Sequence, residues 1–209
     1  MKNYICINGQ QVELTQEQVA KLRKICKIPS VELGTVSVGD TVMLGDHEMV
    51  VLDQFGGATA LIRKELLVDD QVFGSNNNYA GSAVDKLCEE FADEIAGIVG
   101  ADNLLLHRVD LTSDDGLKDY GAIDRRAALL TANEYRRYVY VLDQHKVNEW
   151  WWLATAYSTP AHGYESAVKC VSPSGYFYHD NCRNCHGVRP FCILKSTIFV
   201  SKKEEKENE

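Results

Sequence analysis

No stretch of the 209 residues is apolar for long enough to cross a membrane, and Met1–Gly9 lack the apolar run of a secretory signal. Seven cysteines, an odd number with no leader ahead of them, do not read as a disulfide framework. The expectation is a chain made without a signal peptide in a reducing cytoplasm and not inserted into a membrane. Phage virion proteins share that origin, because they leave the cell only on lysis. A basic stripe is also missing. Thirty acidic residues against 22 Lys and Arg give a net charge of −8, which speaks against nucleic-acid binding, since phosphate contacts need clustered cations. No internal repeat is found. The one charge run, Lys202 to Glu207, is mixed in sign and reads as a solvated tail over 201–209.

What is present suits one globular domain with a small appendage: 45% hydrophobic and 25% charged residues supply ample core material. Tyr4–Ile7, the turn pair Asn8-Gly9, and Val12 with Leu14 predict a hairpin. Thr15 and Gln18 resemble a capping box opening a helix to about Cys26, with Val19, Leu22 and Cys26 on one face and Pro29 ending it. Residues 1–33 thus read as a strand-helix element suited to attachment, and equally to a small packed subdomain.

From Gly34 to Leu67 the pattern is a three-strand antiparallel meander, punctuated at Gly39-Asp40, Gly45-Asp46 and Gly56-Gly57. Ser75–Gly81 is a polar loop. Ser82 caps a helix to Val99, with Val84, Leu87, Cys88, Phe91, Ile95 and Ile98 as its buried stripe and Gly100 at its end. Leu104–Val109 suits a strand. Thr131 and Glu134 form a capping box for a helix to Leu142. Trp150–Ala156, Ala167–Val171 and Phe191–Val200 suit strands, with Tyr157–Glu165 and Tyr176–His186 between them as polar loops. The fold class is α+β: a mainly antiparallel sheet with two packed helices and long loops. In Trp150-Trp151-Trp152, strand alternation sets Trp151 against the other two, so one face is core and the other can line a site.

Several chemistries share one segment. Cys182-Arg183-Asn184-Cys185-His186 spells the c-type haem attachment motif, but no export signal accompanies it. Cys182 and Cys185 make half a zinc site, which His179, His186, Cys170 or Cys192 would complete. A nucleophilic cysteine with His179 or His186 as base and Asp180 as orienter is a third reading. The aspartates 110, 114, 115, 119 and 124 do not follow the spacing of an EF-hand loop and read as an acidic solvated connection.

The fourth reading treats the whole run as a binding surface, and we favour it, with no cofactor and no catalysis. Tyr176 to His186 has almost no aliphatic residue and no Lys, Glu or Gln. Phe177, Tyr178, His179, Asp180, Asn181, Cys182, Arg183, Asn184, Cys185 and His186 combine rigid rings with adaptable hydrogen bonding, as antibody paratopes do. His162 and Tyr164 join them as candidate contacts. Every residue of the run is also reachable from an asparagine codon by changing only its two adenines, and the five types that are not (Lys, Glu, Gln, Met, Trp) are absent from it.

A series of motifs carries a resemblance. Gly39-Asp40, Leu44-Gly45, Val50-Val51-Leu52-Asp53, Ala60-Leu61-Ile62, Leu129 to Tyr135, Trp151-Trp152-Leu153, Val168…Gly175 and Gly187-Val188-Arg189-Pro190 occur in that order. Over about 34–200 they resemble a family of bacterial and phage domains with a Trp-Trp-Leu-Arg-Ser-Pro motif and a closing Gly-Val-Arg-Pro. Ala154, Thr155 and Ala156 depart from its Arg-Ser-Pro. The resemblance implies a C-type-lectin-like fold, like that of the variable proteins of diversity-generating retroelements, whose template adenines are mutated near the C-terminus. It implies a scaffold displaying a diversified loop to a protein or glycan ligand on a cell surface. Such a module works as a homo-oligomer or attached to a larger particle such as a phage tail. On that reading Gly187 ends the loop where backbone freedom is needed, Arg189 ties the loop base to a carboxylate or carbonyls, and Pro190 restricts re-entry into the last strand.

Overall fold

The computed structural model describes residues 3–7, 10–15, 17–19, 21 and 30–202. Strands β1 (Asn3–Ile7) and β2 (Gln10–Leu14) pair antiparallel, Ile7 opposite Gln10. Thr15 and Gln18 exchange the bonds of the capping box: Thr15 N donates to Gln18 Oε1 (2.8 Å) and Gln18 N to Thr15 Oγ1 (3.2 Å). Asn8-Gly9, the helix positions Leu22 and Cys26, the stop at Pro29 and residues 203–209 lie outside the described residues.

The rest is α+β and mostly antiparallel. β3 (Ser30–Glu32) is followed by the expected meander of β4 (Thr41–Leu44), β5 (His47–Phe55) and β6 (Ala58–Arg63). After β7 (Val68–Val72) comes helix α1 (Ala83–Val99), then β8 (Leu104–Leu105), β9 (His107–Asp110), β10 (Ala122–Arg125) and β11 (Ala127–Ala128). Helix α2 (Ala132–Leu142) leads into β12 (Trp151–Ala156), β13 (Ala167–Val171), β14 (Phe177–Asn181), β15 (Cys185–Val188), β16 (Phe191–Lys195) and β17 (Phe199–Lys202). The acidic connection after Asp110 is not structureless, because β10 returns along β9 as a hairpin. One sheet of eight strands runs β11-β16-β6-β5-β4-β17-β3 with β8 beside β16, and a second of five runs β14-β13-β12-β15-β7.

The large sheet is buried on both faces. Met49, Val51, Leu61, Cys192 and Leu194 point into one core with Phe91, Ala92 and Ile95 of α1. Val50, Leu52, Ala60, Ile62 and Phe191 point into another with Tyr135, Tyr138 and Leu142 of α2. Alternation along β5 therefore separates two cores rather than core from solvent. Ser82 caps α1 by accepting the amide of Asp85, and Gly100 ends it at φ 87°. Ile98 corrects the expected stripe: it is 44% exposed and lies over the turn at Gly45 instead of entering the core. α2 carries the expected reciprocal capping box.

The small sheet is joined to the large one through Trp151 and Trp152. Trp151 and Leu153 enter the α2 core, while Trp152 and Ala154 enter a third cluster with Phe73, Val168, Cys170 and Cys182. Both faces of β12 are thus core, which corrects the expectation for Trp151 and Trp152, while Trp150, just ahead of the strand, is 36% exposed. Arg189, 1% exposed, holds the joint. Its Nε donates to the Arg63 carbonyl (2.8 Å) and its Nη2 to those of Lys64 (3.0 Å) and His145 (2.9 Å), with the guanidinium 5.4 Å from the Trp151 ring centre. Of the two partners expected for it, carbonyls are the ones used. Burial pushes its pKa down to about 10, so it stays charged at neutral pH. Gly187 is favoured by a neighbour, not by loop flexibility: a Cβ there would collide with the Leu66 side chain.

Arg189→Met leaves the Arg63, Lys64 and His145 carbonyls without their donor, and is expected to cost about 3–5 kcal/mol in urea unfolding. His107 packs edge-on against Phe191 with a buried, unpartnered Nδ1, and burial lowers its pKa to about 4 against a weaker opposing pull from Asp124. The folded state resists this proton while the unfolded chain accepts it. Stability should therefore fall as pH drops from about 6.5 towards 4, by about 2–3 kcal/mol, and His107→Phe should flatten that part of the pH profile.

Candidate functional site

Tyr176–His186 is not the loop its polarity suggests. Phe177–Asn181 pairs along β13 from Val171↔Phe177 to Ala167↔Asn181 and forms the outer edge of the small sheet. Cys185–Val188 lies on the far side of β12, pairing with β7 and meeting Trp151 in parallel at Gly187. The connection between them crosses the ends of β13 and β12. An edge strand needs few aliphatic residues, so its composition resembles that of a loop.

Local hydrogen bonds fix this crossing. Asp180 Oδ1 accepts the Asn181 amide (2.7 Å) and the Asn184 side chain (2.9 Å), and its Oδ2 lies 2.9 Å from His186 Nε2. Desolvation alone would raise the Asp180 pKa, but these bonds and His186 outweigh it and hold the carboxyl below its ordinary value. Desolvation also lowers the His186 pKa, against the pull of Asp180. Asn181 Oδ1 accepts the Arg183 amide (3.0 Å) and its carbonyl the Asn184 amide (2.9 Å).

Cys182 is the correction within the segment. Its side chain is fully buried, its amide donates to Ser166 (2.6 Å), and its carbonyl accepts from Phe73 (3.1 Å) and Gly74 (3.3 Å). It plugs the connection into the core, away from the surface on which a ligand would be met. Burial raises its pKa, and burial raises that of Cys170 to about 12. The exposed Cys185 has its pKa raised by a hydrogen bond to Asp70. The two thiols of the Cys-x-x-Cys spacing thus lie in different environments, one in the core and one at the surface. Among the described residues no group of three or more His, Cys, Asp or Glu is placed to hold a metal.

The other candidates share one surface with Trp150, from the tryptophan run with a face expected to be able to line a site, and with Tyr157, which the sequence placed only in a polar loop. Tyr164 meets Tyr157 edge-on (6.0 Å), and Tyr157 meets His179 (4.4 Å). His179 stacks on Tyr178 (5.2 Å), Tyr178 meets Trp150 (6.0 Å), and Trp150 stacks on His186 (5.7 Å), which rests on buried Trp152 (4.3 Å). This row of rings wraps the edge strand, with Tyr164 56%, Tyr178 52% and Trp150 36% exposed. Asn181, Arg183 and Asn184 are exposed beside it, and Phe177 is half-buried beneath it. Phe177 is held between two cations: Lys169 Nζ is 4.1 Å and the Arg136 guanidinium 4.7 Å from its ring centre. Asp114 joins them, Oδ2 lying 3.2 Å from Lys169 and Oδ1 accepting from Arg136 at 2.8 Å. Lys169 is buried, and this carboxylate with the two ring faces offsets its desolvation.

Behind the Tyr157–Tyr164 loop stands Asn77, which sequence reasoning left inside a polar loop. It is fully buried and its Nδ2 faces the carbonyls of Ser158 (2.9 Å), Ala167 (3.0 Å) and Tyr164 (3.2 Å), while Oδ1 accepts from Tyr120 (2.6 Å). Asp115 accepts from the hydroxyls of Ser113 and Ser158, which hold its pKa well below the carboxylate range, and lies 3.0 Å from His162 Nδ1. The acidic connection is therefore occupied in bracing this loop, and His162 sits on its exposed flank.

Comparison with protein-family models, with curated proteins and with solved structures gave no match. The reading of the site rests on its own geometry.

Asn77→Ala strips the loop of its central brace. It is expected to cost about 2–4 kcal/mol and to speed proteolysis within 157–166 before the rest of the chain, seen as early cleavage by limited thermolysin digestion.

Proposed function

We propose that this chain is a ligand- or receptor-binding module on a C-type-lectin-like scaffold, with its contact surface on the ring row of the small sheet. The observation that carries this reading is the continuous, exposed row from Tyr164 to Trp150, set on a sheet whose other strands are packed into two cores. Large rigid rings beside Asn, Asp and Arg bring contact area at low entropic cost together with adaptable hydrogen bonds. The scaffold assignment draws on the order of the motifs and on an α+β body in which β3 and β17 meet, Val31 lying opposite Val200. Arg189, within the closing Gly-Val-Arg-Pro, clamps the base of the displayed segment.

The same reading takes Tyr178, His179, Asp180, Asn181, Arg183, Asn184, Cys185 and His186 as positions diversified by adenine-directed mutagenesis, with Cys182 the buried member that this process spares at a cost to folding when it does not. The partner is a protein or glycan on a cell surface, met from a phage tail or a similar particle. A near-repeat of the 3′ coding segment, differing from it only at adenines and close to a reverse-transcriptase gene, is the expected genomic setting. Differences at other bases would defeat the diversification part.

Tyr178→Ala, His179→Ala and Arg183→Ala in one chain are expected to shift the thermal midpoint by no more than about 4 °C, because these side chains contribute little to the cores. Adsorption of the protein to intact bacterial cells should be lost at the same time. A large fall in midpoint, or adsorption unchanged, would count against a displayed contact surface.

A further inference from the structure

β14 is an edge strand without the usual protection. Its pairing with β13 is unbroken over Phe177–Asn181, and its sequence Phe-Tyr-His-Asp-Asn has no Pro and no Lys. The other ends of the two larger sheets are shorter or more charged: β7 carries the adjacent Asp69 and Asp70 where β14 has the single Asp180, β3 is three residues long and β11 two.

Register shows which backbone groups are free. The flanking bonds Ser172 N to Tyr176 O (2.9 Å) and Cys182 N to Ser166 O (2.6 Å) set the phase of the ladder, so Tyr178 and Asp180 direct their backbone groups inward to β13. Phe177, His179 and Asn181 direct theirs outward. Asn181 is already satisfied, its N–H by Asp180 Oδ1 and its carbonyl by the Asn184 amide. Phe177 and His179 have no such bond among the described residues.

We propose that this edge pairs antiparallel with the same edge of a second copy of the chain, about a twofold axis at Tyr178. That axis sets Phe177 opposite His179 of the other copy and His179 opposite its Phe177, so every free N–H and C=O of the two edges finds a partner. An axis at His179 instead sets that residue against itself and pairs Phe177 with the occupied Asn181. The axis at Tyr178 also brings the two Tyr178 rings together as a cross-strand aromatic pair. Asp180 falls opposite Tyr176 of the other copy, a hydroxyl donor that is 72% exposed, and no like charges meet. The chain's net charge of −8 weakens association at low salt, so pairing strengthens as salt is added. The two ring rows then form one continuous surface. This pairing stands apart from the ligand reading and can hold or fail without it.

The full chain is tested by light scattering on a sizing column and by cross-linking, in a background with Cys6, Cys26 and Cys185 replaced by Ser. The expected mass is twice 23.4 kDa. Opposed residues in a non-hydrogen-bonded pair have Cα atoms about 4.5 Å apart, within disulfide range. Tyr178→Cys is therefore expected to oxidise to an interchain disulfide at least about tenfold faster than Tyr140→Cys, whose site on α2 is 86% exposed. His179→Cys, facing Phe177, should not link. A monomeric mass with equal rates at 178 and 140, or faster linking through His179→Cys, would overturn the proposal.

Discussion

The burial of β12 on both faces is the constraint on which the rest depends. Trp151 points into the core beneath α2 and Trp152 into the core behind the small sheet, so one strand fastens two sheets together. Arg189 seals the joint by capping three carbonyls and stacking near Trp151. The surface follows from the interior: Trp152 supports His186, His186 supports Trp150, and Trp150 meets Tyr178 at the sheet edge. A rigid core ring thus ends in exposed ones, which fixes their orientation without aliphatic packing in the strand that carries them.

Much of the scaffold was legible because its signals are local. Ser82 and Gly100 mark the ends of α1, Thr131 and Glu134 start α2, and glycine-punctuated alternation gives the meander. What failed was set by distant partners. The edge strand Phe177–Asn181 looks like a loop because only one of its sides is paired and neither face demands aliphatics. Cys182 lies in a polar run yet turns inward, since its amide and carbonyl dock on Ser166, Phe73 and Gly74. Lys169 is buried only because Asp114, Tyr157 and Phe177 surround its ammonium, and Asn77 is one of three consecutive asparagines with nothing local to distinguish it. Ile98 has helical spacing but lies over the turn at Gly45 and stays largely exposed.

The motif that looks most chemical, Cys182 to His186, divides into unlike parts. One cysteine is a core plug, the other sits at the surface beside Asp70, and the histidine is held between Asp180 and two tryptophans. Cofactor spelling and cofactor geometry are therefore separate here. The segment alternates positions that hold the connection in place with positions that are free to vary, which is the arrangement a displayed binding surface needs.

The most direct test is a saturation scan of residues 177–186 read by resistance to proteolysis. Tyr178, Arg183 and Cys185 are expected to accept most residue types, while Cys182 accepts only small apolar ones. Free substitution at Cys182, or intolerance at those three exposed positions, would contradict a variable surface carried on a fixed core.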